Sequence, residues 1–308
     1  MDCFGDSSDD DEEGGNEAIK RDESCGVLSF HPNTEASLLA HVRTFLKTAG
    51  PSTSSPDSIH NKLQHASDVI HAIDEFCTKR HWMMHVGPEK GSILTEALCD
   101  AMNNKVRQSP SPPKTKFVAV ELGSYCGYAS ILMGRTFCEA KPASMDCHLF
   151  TLEINRECID IAKEMVQLSG LQDKISVHQI TYDGNDTDIV SVVSNALEND
   201  NIRSNQEATT CVDFLFIDHD KDAYKSDLCK LEASGMIRCG TKVVADNVLF
   251  ANIKDYLQYV QQRKKEGIVE TRTVPCSVEY SDHTSTDAKQ GGDMHRDGIE
   301  ITDYINDP

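Results

Sequence analysis

The sequence predicts an α/β fold built on a mostly parallel sheet, and three observations carry that prediction. Short apolar runs of strand length alternate with segments of helical period, as in successive βαβ units. Residues 117–122 (FVAVEL), 212–217 (VDFLFI) and 241–245 (TKVVA) are almost continuously apolar, as strands buried on both faces are. Each of these runs ends on a glycine turn or on oxygen-bearing side chains, and open α/β sheets bind their ligands beyond the carboxyl ends of the strands.

The elements follow in order. Residues 1–27 are expected to be an acidic tail; positions 1–17 hold eight Asp and Glu and no Lys or Arg, too little apolar surface to order a segment. Ser7 and Ser8 beside that acidic run are candidate phosphorylation sites. Residues 38–49 and 68–79 read as helices, the second because Val69, Ile70, Ile73 and Phe76 recur at three- and four-residue intervals. The stretch between them at 50–56 (GPSTSSP) is a loop of chain-breaking residues. Strand 117–122 leads through Gly123-Ser124-Tyr125-Cys126-Gly127 into a helical pattern with Tyr128, Ile131 and Leu132 on one face. Strand 149–152 (LFTL) ends in Glu153, and Asn155 is placed to cap a helix whose Ile161, Ala162, Met165 and Val166 face the sheet. Residues 174–180 read as the third strand and 212–217 as the fourth, with 191–206 a helix followed by a loop. A helix at 252–265 precedes a terminal β-hairpin that starts at 268–274 and returns at 298–304. The polar stretch 281–297, with Gly291-Gly292, reads as a flexible insertion in that hairpin. On this reading the folded domain spans 38–308.

Composition excludes several function classes. The 308 residues suffice for one α/β domain with appendages. The formal charge is −20, of which the portion after the tail carries −12, so the clustered basic surface that nucleic acid requires is not expected. No apolar stretch approaches the ~20 residues of a membrane span, and the start lacks a signal-peptide pattern. A soluble, cytoplasmic, monomeric protein is the expectation. Twelve cysteines without regular pairing spacing imply free thiols in a reducing compartment, Cys126 among them as a small buried filler.

The strand ends carry the chemistry. Strand 212–217 runs into Asp218-His219-Asp220-Lys221, and strand 241–245 into Asp246-Asn247. Asp218, Asp246 and Asn247 offer hard oxygen ligands of the kind Mg²⁺ takes, and Mn²⁺ accepts the same set. Lys221 lies near enough to act as a base. The glycine turn after 117–122 has Gly-x-x-x-Gly spacing, and neither a dinucleotide fingerprint nor a Walker lysine is present, so phosphate binding is poorly supported. Glu153, closing the next strand, can accept both hydroxyls of a ribose. A nucleoside site without a phosphate clamp fits S-adenosylmethionine, whose sulfonium end is cationic.

Four segments together, HWMMHVGPEKG (residues 81–91), ELGSYCGYAS (121–130), FIDHDKDAY (216–224) and VADNV (244–248), occur in an order and spacing that resemble the catechol O-methyltransferase family. The resemblance runs from about Leu38 to the C-terminus, failing only at the extreme N-terminus and one late insertion. It implies a Rossmann-like class I methyltransferase fold: a seven-stranded, mostly parallel sheet with helices on both faces, an antiparallel strand near the C-terminal edge and an N-terminal helical cap. It also implies S-adenosylmethionine and Mg²⁺ as cofactors and a small aromatic diol as substrate. Residue by residue, it places the cofactor against Met84, Val86, Glu121, Gly123, Tyr125, Ser130, Glu153, Tyr182, Asp183, Asp218 and His219. The metal falls to Asp218, Asp246 and Asn247, and the acceptor to Trp82, Lys221, Asn247 and Glu279, with Lys221 and Glu279 catalytic. A lysine base needs its pKa to fall from ~10.4 toward the working pH, which burial and a nearby divalent cation favour.

Departures from the family pattern bear on the acceptor. Asp220 stands where the family has a tryptophan, Phe250-Ala251 where it has a proline gatekeeper, and Val278 where it has a leucine; Tyr182 and Asp183 replace the serine and glutamine at the adenine. A wider or more polar acceptor pocket is expected, with a cationic acceptor favoured by Asp220. Caffeoyl-CoA methyltransferases share the strand-end metal cluster but read differently in the glycine turn, so an enzyme for a caffeoyl or flavonoid diol stays open. So does a non-catalytic S-adenosylmethionine-binding protein, although such a protein would lose the metal site and this chain keeps all three ligands and the lysine.

Overall fold

The computed structural model describes residues 33–49, 58–108, 115–140, 145–180, 189–204, 211–280 and 296–308. The acidic tail, the loop at 50–56 and most of the 281–297 stretch lie outside them. Within the described residues, strands β1 (Thr115–Leu122), β2 (Met145–Glu153), β3 (Ile175–Gln179), β4 (Phe214–Ile217), β5 (Lys242–Ala245), β6 (Val269–Ser277) and β7 (Arg296–Tyr304) form one sheet. Its order is β3-β2-β1-β4-β5-β7-β6. The first five strands pair in parallel, and β7 runs antiparallel to both β5 and β6. The seven-stranded sheet with one reversed strand near the C-terminal edge is thus present.

Helices α1 (Thr34–Ala49), α2 (Ile59–Lys79), α3 (Gly87–Gln108), α4 (Tyr128–Ala140), α5 (Arg156–Leu168), α6 (Ile189–Ser204), α7 (Tyr224–Ala233) and α8 (Lys254–Lys265) cover the two faces. Successive side chains of a strand point to opposite faces, and the apolar runs use both. Phe117 and Ala119 of β1, Phe214 and Phe216 of β4 and Val244 of β5 pack with α1 to α5 in one core. Val118, Val120, Leu122, Leu215, Ile217, Val243 and Ala245 pack with α6, α7 and α8 in the other. Burial on both sides is why these runs carry no polar alternation.

Register brings the strand ends together. Leu122 lies opposite Ile217 and Ile217 opposite Ala245, so the residues that follow leave the sheet side by side. Asp218 N–H donates to Leu122 O at 2.9 Å, and Asp246 N–H donates to Ile217 O at 3.1 Å.

Local boundaries differ from the sequence reading in places with physical reasons. The second helix starts earlier, at Ile59, because Ser58 caps it by accepting from Asn61 N–H at 3.2 Å. The long helix α3 was not anticipated at all, although Pro88 in its first turn and buried Leu94, Ala97, Leu98, Ala101 and Met102 at helical spacing are helix signals. Asn155 does cap α5, accepting from Glu157 N–H at 2.9 Å. Pro275 is tolerated in β6 because that strand is the edge of the sheet. Among the described residues no helix is long and apolar enough to cross a membrane.

Candidate active site

A cavity of about 570 Å³ opens over the carboxyl ends of β1, β2, β4 and β5. Its first wall is the turn after β1. Gly123 has φ +93°, and a Cβ there would lie 2.3 Å from Asp218 O, so only glycine allows the β1 turn to pass so close to the end of β4. Tyr125 holds φ +44°, unusual for a bulky residue. That conformation aims its N–H at Glu153 Oε2, 2.8 Å away. Glu153 Oε1 accepts from Ile154 and Asn155 N–H at 2.8 and 3.0 Å. Three backbone donors therefore fix both carboxylate oxygens at the cavity edge, pre-oriented for a diol. Tyr125 Oη donates to Glu35 Oε1 at 2.7 Å, bringing α1 to the same wall.

Glu121 lies deeper and is 1% exposed. Burial, only partly offset by the Ser130 hydroxyl, pushes its carboxyl up to about 8. Among the described residues its Oε1 makes no close hydrogen bond, with the Thr151 hydroxyl the nearby group that favours its charge, and Glu121 borders the cavity. Ser130 itself does not line the cavity; its hydroxyl donates to Glu121, and Ala129 faces the space instead. Met84, Val86, Gly123, Tyr125, Glu153, Asp218 and His219 all line it. His219 Nε2 donates to Asp227 Oδ2 at 3.0 Å, and the ring stacks on Tyr224 with 5.3 Å between centroids. Tyr182 and Asp183 lie outside the described residues.

The other half of the cavity gathers Trp82, Asp218, Lys221, Asp246, Asn247 and Glu279. Lys221 opens a 3-10 turn (Lys221–Ala223) capped by Asp220, and this turns its Nζ inward to Asp218 Oδ1 and to Tyr224 Oη, each at 2.7 Å. Asn247 has φ +57°, a left-handed conformation that asparagine tolerates better than most residues. Trp82 Nε1 donates to the Glu279 backbone carbonyl at 3.0 Å, tying the loop before α3 to the segment after β6.

Two buried residues that the sequence reading lacks, Lys90 and Asp297, lie behind this half and hold its acids. Lys90 of α3 is 0% exposed, with Nζ 3.0 Å from Asp246 Oδ1, 2.9 Å from Glu279 Oε2 and 2.6 Å from Asp297 Oδ2. Burial alone would lower its pKa, but the three carboxylates raise it well above the ordinary lysine value. Asp246 is pushed up to about 7 by burial, with Lys90 opposing and Asp218 and Glu279 adding to the rise. Four acids thus share two lysines here, leaving a surplus of negative charge. Among the described residues no three His, Cys, Asp or Glu side chains converge as a metal cluster. Two carboxylates with an amide oxygen nonetheless fit a hard divalent cation, and each carboxylate keeps a second oxygen beyond its lysine contact.

The O-methyltransferase family model matches residues 64–262, more than half of the chain. The chain belongs to the O-methyltransferase family. It is 33% identical over 208 residues to a catechol O-methyltransferase of Bos taurus, covering 66% of this chain and 64% of that protein. Against catechol O-methyltransferase B of Danio rerio it is 33% identical over 207 residues, covering 65% of this chain and 66% of that protein. The chain thus spans just under two thirds of the length of these curated relatives. The O-methyltransferase TomG of Streptomyces achromogenes, involved in tomaymycin synthesis and solved in complex with SAM, aligns with TM-score 0.50 and 14% identity over 86% of this chain and 96% of that chain. That likeness is one of fold.

Proposed function

We propose that this O-methyltransferase-family protein transfers the methyl group of S-adenosylmethionine to one hydroxyl of a vicinal aromatic diol held at a divalent cation, Mg²⁺ by preference. The observation that carries the reading is the convergence, in one cavity, of a nucleoside-type wall ending in Glu153 with Asp218, Lys221, Asp246, Asn247 and Glu279. A cation at Asp218, Asp246 and Asn247 would ease ionisation of a phenol and fix both diol oxygens. Lys221 Nζ, 2.7 Å from Asp218 Oδ1, is the base that takes the proton of the attacking hydroxyl. The oxygen then forms its bond to the methyl carbon as the carbon–sulfur bond breaks, leaving S-adenosylhomocysteine. Glu279 binds the second hydroxyl, Trp82 offers apolar surface to the flat ring, and Met84 lies toward the sulfonium. The protein's part is chiefly positioning, since attack needs donor and acceptor at ~3–3.5 Å. The deciding experiment is methyl transfer to a simple catechol with Mg²⁺ and with chelator. Turnover that disappears on chelation supports the reading; metal-independent turnover refutes its metal part, and cofactor binding without turnover on any of a panel of diols favours a binding protein.

Glu121 supplies a linked test of the cofactor site. Its buried Oε1, with no close hydrogen bond among the described residues, suits the ammonium of the methionine end, which needs the carboxylate form. In the free protein the group holds a proton up to about pH 8, so binding at pH 7 releases one. S-adenosylhomocysteine titrated calorimetrically in buffers of differing ionisation enthalpy should show this release, and Glu121→Gln should remove it. The same sign makes the free protein's stability fall as pH rises from the ordinary carboxyl range toward 8, since the folded state holds the extra proton. A buffer-independent binding enthalpy in the wild type would sink this assignment.

Asp220 bears on the acceptor. It is exposed, borders the cavity, and uses Oδ1 to cap Asp222 N–H at 3.1 Å, which leaves its charge at the mouth. We expect kcat/KM for dopamine to exceed that for dihydroxybenzoate, and Asp220→Asn to shrink the difference by roughly 2–5-fold, the worth of a solvent-screened charge. A preference for the acid refutes it.

A further inference from the structure

Asp297, at the start of β7, takes no part in the chemistry above and does not line the cavity, yet it is 0% exposed and heavily bonded. Its Oδ2 accepts from Lys90 Nζ at 2.6 Å and from Asn247 Nδ2 at 2.9 Å. Its Oδ1 accepts from Phe250 N–H at 3.0 Å and Gly298 N–H at 2.7 Å. Burial opposes the charge, but Lys90 and these hydrogen bonds outweigh it and hold the carboxyl below its ordinary value.

We propose that Asp297 is a positioning residue for the oxygen-ligand set: it orients the Asn247 amide and, through Lys90, places Asp246 and Glu279. An amide offers a donor end and an acceptor end, whereas a carboxylate only accepts. Contact with Asp297 therefore selects the Nδ2 end of Asn247 and leaves Oδ1 as the atom offered to a cation. Lys90 works in the same way on the opposite side. Its ammonium has three donors, and they meet one carboxylate each from Asp246, Glu279 and Asp297. The lysine thereby ties α3, the end of β5, the segment after β6 and the start of β7 at one point. Removing the Asp297 charge frees one donor and loosens the other two attachments. Outer partners of metal ligands act in this way in general, and their loss typically weakens metal binding by ~10–100-fold.

The inference rests on the cation site in the proposed function. Its test uses Mn²⁺ as probe, read by the electron paramagnetic resonance of the free ion, on the full chain with S-adenosylhomocysteine present. Asp297→Asn keeps the shape while removing the obligatory acceptor. The expected result is Mn²⁺ affinity lower by ~10–100-fold with S-adenosylhomocysteine affinity unchanged. The reciprocal exchange, Asn247→Asp combined with Asp297→Asn, restores one amide–carboxylate hydrogen bond and should recover much of the loss even if the single variant folds poorly. Wild-type Mn²⁺ affinity in Asp297→Asn overturns the inference alone. Equal losses for Mn²⁺ and S-adenosylhomocysteine with no recovery in the exchange also overturn it, as the mark of a purely structural role. A wild-type protein that binds S-adenosylhomocysteine but no Mn²⁺ overturns the cation reading and this inference with it.

Discussion

Lys221→Met should lower kcat for catechol methylation by ~10²–10⁴-fold, the usual worth of a positioned general base, while S-adenosylhomocysteine affinity stays unchanged. Methionine keeps the length and apolar stem of the side chain but cannot take a proton. The Nζ it removes sits 2.7 Å from Asp218 Oδ1 and 2.7 Å from Tyr224 Oη, so the variant also strips Asp218 of a partner without touching the Glu153 wall. Single-turnover rates isolate the chemical step from product release. The deficit should shrink as pH rises, because solvent hydroxide takes over the proton that Lys221 no longer accepts. A kcat close to wild type at neutral pH would remove Lys221 from the chemistry and leave it as the counter-charge of Asp218.

Gly123→Ala should cost about 2–6 kcal/mol of stability, from ~1–3 of backbone strain and ~1–3 of overpacking, and abolish S-adenosylhomocysteine binding. The new Cβ would face Asp218 O at 2.3 Å and Asp218 C at 2.8 Å. Both are backbone atoms at the end of β4, tied back through Asp218 N–H to Leu122 O, so neither can swing away as a side-chain tip would. Gly235→Ala is the control: its φ is +76° with nothing within 4 Å of the added carbon, so it carries the strain without the collision. Urea unfolding of the two variants separates the terms. Equal losses would show that the approach of the two turns is not what Gly123 protects.

Particular residues show how far the sequence was legible. Apolar runs buried on both faces announced β1, β4 and β5, and polar side chains at their ends announced Asp218, Lys221, Asp246 and Asn247. The Gly123 turn and Glu153 were readable because a tight turn and a terminal carboxylate are local features. Motif position places Ser130 at the cofactor, whereas the helical phase of α4 turns its hydroxyl to Glu121 and leaves Ala129 lining the cavity. One position along a helix is ~100° of rotation, which motif spacing does not resolve.

Lys90 and Asp297 were invisible for a different reason. Lys90 lies in a segment whose charged and glycine-rich start hid the helix, and a lone lysine on a helix is ordinarily solvent-exposed. Asp297 stood inside a stretch read as a flexible insertion. Only the meeting of α3, β5, β6 and β7 makes one buried cluster of them.

The sequence by itself determined the α/β class, the strands and the acids at their ends, because periodicity, turn chemistry and side-chain type act over a few residues. The tertiary structure alone decided which of those acids share a lysine, which amide end of Asn247 meets Asp297, and how closely the β1 and β4 turns approach. Those are long-range contacts, set by strand register and helix packing between residues up to 207 positions apart in the chain, and no local pattern encodes them.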